Sequence, residues 1–141
     1  MSTPPPLDDA EFGRWRDEAD RALHGARLQA DAQLHNWACF AAEQAAQLAV
    51  KGLLHGLGRG PWGHDLVRLG QLLREAGAHP PHDVDDALRR LGRHYIPARY
   101  PDAHALGPPG MHYGAADARE AMADASRIIA FVDRTWQGHR G

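Results

Sequence analysis

The residues best suited to chemistry crowd into one stretch, Ile96–Gly114, IPARYPDAHALGPPGMHYG. It carries Arg99, Tyr100, Asp102, His104, His112 and Tyr113 among four prolines. A long irregular segment in a small domain is usually functional or disordered. A histidine near its ordinary pKa can take or give a proton at neutral pH. An arginine can clamp a phosphate and stabilise charge that develops on it. Together they could support proton transfer beside a bound phosphate. Four residues stand between Arg99 and His104, but four also stand between Arg89 and His94, so spacing alone selects neither pair. The competing reading of Arg99-Tyr100-Pro101-Asp102 is a pinned loop, with Arg99 tied to Asp102 or a helix end and Tyr100 covering the edge of the core.

Other groups carry two readings each. Arg89, Arg90 and Arg93 share one side of a short helix, as a solvated face or as a phosphate-contacting patch. His64-Asp65 opens a helix after a Gly-rich turn, as a cap or as a polar pair lining a site. Gln44 and Lys51 fall on or beside a buried face and need partners there. His79 and His82 flank Pro80-Pro81, but no third ligand and no metal-binding spacing accompanies them, so no metal site is expected. Cys39 lies in an apolar helix and reads as a small buried hydrophobe. No cofactor is implied.

The element that must position these groups is Trp37–Leu57, WACFAAEQAAQLAVKGLLHGL, rich in strong helix formers and apolar nearly all round. Such a helix belongs at the centre of a bundle, and this one should begin near Asp31 and end near Leu57. A first helix opens at Asp8-Asp9 with an apolar stripe from Phe12 to Ala26. A third follows His64-Asp65, a fourth runs from about Val84 to Tyr95, and a last from about Ala115 to Gln137. No segment alternates with period two. The expected fold is therefore all-α, an up-and-down bundle of four long helices plus a shorter one. Residues 1–7 read as a disordered leader, 8–137 as one domain and 138–141 as a frayed tail. The alanine face of Ala41, Ala45 and Ala49, with an exposed Trp136, suggests a homodimer through the central or last helix.

The chain has 141 residues and a net charge of −2, so any binding to nucleic acid must come from a local patch. One cysteine, no signal-peptide core and no long apolar run point to a cytoplasmic protein without a membrane partner.

Four features in order, AEQAAQLAVKGLL at 42–54, His64-Asp65-Leu66, Arg99-Tyr100-Pro101-Asp102 and a last helix near Ala115, resemble the HEPN domains, small helical proteins of bacteria and archaea. The resemblance covers roughly Asp8 to Trp136. It implies a composite site across a dimer, with Arg99 as phosphate clamp and His104 as acid/base of a metal-independent endoribonuclease. Two departures are visible: Tyr100 stands where active members carry a small polar residue, and prolines place the motif on a loop. The Arg-Tyr-Pro-Asp form is similar to HEPN proteins paired with a minimal nucleotidyltransferase in toxin–antitoxin-like systems. That reading implies binding of such a partner, and of RNA or a nucleotide, with Tyr100, Asp102, Lys51, His64, Asp65, Arg93 and Tyr113 as binding residues. The tyrosine that such partners modify would fall at Leu106, leaving Tyr95, Tyr100 and Tyr113 as alternatives.

Overall fold

The computed structural model describes residues 5–141; most of the expected leader lies outside them. The described chain is all-helical. Five α-helices follow in order: α1 (Asp9–Asp31), α2 (His35–Gly56), α3 (Leu66–Glu75), α4 (His82–Gly92) and α5 (Ala115–Arg140). Two single 3₁₀ turns, Pro101–Ala103 and Pro109–His112, interrupt the segment between α4 and α5, and each starts on a proline. The architecture is the all-α bundle expected, divided into three long helices and two of 10 and 11 residues.

The central element is α2. It packs against all four other α-helices and against the second 3₁₀ turn. Alanine makes this possible, since Ala38, Ala42, Ala45, Ala46 and Ala49 are fully buried and let the neighbouring helices come close. The face proposed for a homodimer is thus largely consumed inside the chain. Trp136, expected to be exposed, is 5 % accessible and stacks on Phe12 at 4.4 Å. Helical periodicity shows that Trp136 shares a stripe with Val132 and Ile129, but not that α1 lies across that stripe.

Helix ends differ from expectation where the chain gives no local break. α1 continues to Asp31, and the turn into α2 is made by Gln33 in a left-handed conformation (φ 64°), with Leu34 N–H donating to Gln29 O at 2.8 Å. No glycine or proline marks that reversal. α4 stops at Gly92 instead of Tyr95, and residues 93–99 continue as irregular turns. Gly92 weakens the helix, and Pro97 has no N–H to extend it. α5 runs on to Arg140, which pairs with Asp9 at 3.1 Å.

Gly52 marks the tightest approach of α1 to α2. A Cβ there would sit 2.8 Å from Trp15 Cβ, with the α1 backbone at 3.5 Å. Overpacking costs about 1–3 kcal/mol, more than the about 1 kcal/mol alanine gains over glycine inside a helix. Gly52→Ala should therefore lower the urea midpoint. Gly25→Ala, with nothing within 4 Å of the new Cβ, should raise it. Equal shifts of one sign would mean that α1 and α2 are less closely packed than this.

Candidate functional site

The chemistry-bearing residues gather where the face of α2 meets the loop before α3 and the chain leaving α4. Glu43, Gln47 and Lys51 step along α2 four residues at a time, so they share one face. Glu43 is wholly buried. Its two carboxylate oxygens accept from Gln47 Nε2 and from Gln44 Nε2, the latter at 3.0 Å. Burial raises its carboxyl to about 7, against the opposing pull of those two amides and of Arg99 and Lys51. Half-buried Lys51 is shifted down, chiefly by desolvation.

Gln47 links this buried acid to the surface. Its amide nitrogen is spent on Glu43, so Oε1 accepts from His64 Nδ1 at 3.2 Å. The bare lone pair of the neutral His64 ring is therefore on Nε2. The His64 ring stacks on Tyr95 at 5.2 Å, nearly parallel at 13°. The capping reading of His64-Asp65 applies to Asp65 alone. Asp65 caps α3 through Val67 N–H at 3.0 Å, and His64 turns toward α2.

Arg99 is inserted among rings. Its guanidinium lies 4.4 Å from the centroids of Phe40 and Tyr95 and 4.9 Å from Tyr100, and Nε donates to Tyr95 O at 2.8 Å. Such cation–π contacts strengthen as the group is desolvated. This is the pinned-loop arrangement, although its anchors are aromatic rings and a carbonyl instead of the Asp102 carboxylate. His104 is fixed separately. Its Nε2 donates to Pro97 O at 2.6 Å, and its ring stacks on His112 at 4.3 Å. His112 Nε2 in turn donates to Leu106 O at 2.6 Å. No hydrogen bond joins Arg99 to His104 among the described residues.

The rival pair fares differently. His94 is mostly enclosed, its Nδ1 is 3.2 Å from Tyr113 Oη, and burial shifts its pKa down. Burial also pushes the Tyr113 phenol up to about 12. Arg89 pairs with Asp86 on its own helix. Arg90 makes a two-pronged pair with buried Asp124 of α5, at 2.7 and 3.0 Å. Of the three arginines of the supposed patch, two are thus committed to structure. Arg93 is exposed and has no ion pair among the described residues.

The site residues expected from the sequence are therefore not brought to one place: Lys51 lies on α2 near Glu43, and the others separate into three groups and a lone Asp102. His64, Asp65 and Arg93 line one pocket with Tyr95, Ile96 and Pro97, about 350 Å³ in volume. Arg99 and Tyr100 pack together with Phe40 and Tyr95, while His104 and Tyr113 belong to the histidine cluster of the loop. Asp102 is exposed in the first 3₁₀ turn. Glu43 and Gln47 were missed by the sequence reading. The available signal was their i, i+4 spacing with Lys51, three polar residues in line on a helix that is mostly apolar.

Cys39 is buried, and burial pushes its thiol up to about 12, which agrees with a packing role. Among the described residues, no group of three or more His, Cys, Asp or Glu side chains could hold a metal ion, and no helix is long and apolar enough to cross a membrane.

Comparison with known proteins gives a consistent result. Residues 12–135 match the HEPN domain family. TT1696 from Thermus thermophilus is 40 % identical, with a TM-score of 0.85 over 88 % of this chain and 97 % of that one. ST0689, an archaeal HEPN homologue, is 34 % identical, with a TM-score of 0.74 over 86 % of this chain and 94 % of that one. The HEPN domain protein TM0613 from Thermotoga maritima, 24 % identical with a TM-score of 0.70 over 88 % of this chain and 98 % of that one, shares the fold. No curated protein matches.

Proposed function

The chain belongs to the HEPN domain family, and from that premise we propose that it is a binding module: the nucleotide- or RNA-linked component of a toxin–antitoxin-like pair that docks a minimal nucleotidyltransferase. One observation carries the choice of binding over catalysis. Arg99 and His104, the pair that metal-independent RNA cleavage would need, are each tied to a different backbone carbonyl, Tyr95 O and Pro97 O. An acid/base and a phosphate clamp must converge on one reacting group. Here the arginine is packed among rings and the histidine is stacked on His112.

A homodimer is also part of this reading, but not through the buried alanine face of α2. Exposed apolar side chains at Trp37, Tyr100, Leu106 and Met111 are the available surface near the loop.

Co-expression with the product of a neighbouring nucleotidyltransferase gene tests the reading. A stable complex should co-elute, with light scattering showing two copies of this chain. Failure to co-elute would count against docking. Purified chain that cleaves RNA in the presence of EDTA, with activity reduced about 10²–10⁴-fold in His104→Ala but not in His94→Ala, would establish the ribonuclease instead.

A further inference from the structure

We propose that the pocket between the α2–α3 loop and the end of α4 binds a ribonucleotide phosphate, with Arg93 on the phosphate, Asp65 on a ribose hydroxyl and the open face of the His64 ring against the base. The proposal rests on the nucleotide-linked reading above and names the place and the contacts.

The first support is the way His64 is held. An exposed histidine in a glycine-rich loop is normally a free rotor. This one is fixed from behind by Gln47, which is itself fixed by a carboxylate buried in α2 with no cation bonded to it among the described residues. Burying an acid on two amides is unfavourable for folding alone. What the arrangement achieves is a ring of set orientation, stacked on Tyr95 on one side and open on the other. Aromatic and imidazole faces of this kind are where bases stack.

The second support is Arg93. Arg89 and Arg90 in the last turn of α4 end in ion pairs, whereas Arg93, just past its end, lines the pocket without one among the described residues. A free guanidinium is the group best matched to a phosphate.

The third is Asp65. A carboxylate beside a phosphate site would repel the ligand unless it has a donor to take. Its Oδ1 is occupied by Val67 N–H, and the carboxylate as a whole can still accept from a hydroxyl, which a ribose supplies. Ile96 and Pro97 provide an apolar wall. The volume of about 350 Å³ lies at the small end of the ligand-site range, which suits one nucleotide.

Titration calorimetry on the full chain tests this with AMP, dAMP, inorganic phosphate and a short single-stranded RNA. Saturable binding of AMP, or of the RNA alone, is expected; the first points to free nucleotide and the second to a residue within a polymer. Arg93→Gln should weaken it about 10–100-fold and His64→Ala about tenfold. Asp65→Asn keeps a good helix cap and should erase the preference for AMP over dAMP. Arg89→Gln, on the paired arginine, should change nothing. Absence of binding by both AMP and RNA, equal affinity for bare phosphate, or unchanged binding in Arg93→Gln would overturn the assignment. Retained co-elution of Arg93→Gln with the nucleotidyltransferase would then show that only this pocket assignment, and not the docking reading, has failed.

Discussion

Trp136→Ala should destabilise the protein by about 3–5 kcal/mol, the cost of removing a large buried aromatic side chain. The indole is 5 % accessible and stacked 4.4 Å from the Phe12 ring. It also lies against the bare backbone of Gly56 in α2. A Cβ on Gly56 would be 2.6 Å from Cζ3 of the indole, so glycine at 56 is what allows the ring in. The same residue accepts Asp8 N–H through its carbonyl at 2.8 Å, which anchors the start of α1. Truncation leaves a cavity at the joint of α1, α2 and α5 that three helices cannot close together. Against a total stability of about 5–15 kcal/mol, a large part of the folded-state margin is lost. Chemical denaturation of Trp136→Ala and Trp136→Phe measures it, with the phenylalanine variant retaining part of the stacking. A loss below about 1 kcal/mol in the alanine variant, the range of surface changes, would mean that α5 does not close over α1.

The second large effect is a pH dependence centred on Glu43. Its carboxyl is raised by burial from 4.5 to about 7, so the folded state holds this proton more tightly than the unfolded chain. The resulting stability is fully present below the unfolded value and is lost as pH rises through the folded one. The window is therefore about pH 4.5 to 7, and the loss is about 3 kcal/mol at 1.36 kcal/mol per pK unit. His94, shifted down by burial, works in the opposite direction, favouring the fold as pH rises. Comparing wild type with Glu43→Gln cancels that background. The amide sacrifices one hydrogen bond to Gln44 or Gln47 at every pH, a constant offset, but removes the Glu43 slope. Unfolding free energies at pH 4.5, 6 and 8 should fall more steeply in wild type than in Glu43→Gln. Parallel profiles would mean that Glu43 titrates near its ordinary value and that water reaches it.

Local chemistry made much of this molecule legible before any coordinates. Asp65 was readable as a cap, and it bonds Val67 N–H. The alanine-rich, apolar-all-round stretch was readable as the central helix, because a helix with no polar face has to be enclosed. The ordered motifs pointed to the HEPN family, and the comparisons show it. The proline-rich segment after α4 was recognisable as the unusual part of the chain, and five site candidates lie within it: Arg99, Tyr100, Asp102, His104 and Tyr113.

Only the tertiary structure decided what those side chains face. Periodicity tells which residues share a stripe; it does not tell which other helix covers the stripe. Trp136 is buried because α1 crosses α5 at Phe12. Arg90 is a structural ion pair because Asp124, 34 residues away, comes beneath it, while Arg93 one turn further on meets no such partner among the described residues. Arg99 and His104 were close in sequence, yet the prolines between and beside them bend the backbone, so each carries its ring contacts and its carbonyl separately. The spacing Glu43–Gln47–Lys51 was in the sequence, but a polar row on a helix becomes a site only when something docks on it. Here His64 does so across a glycine-rich loop, a contact set by loop geometry and not by any local propensity.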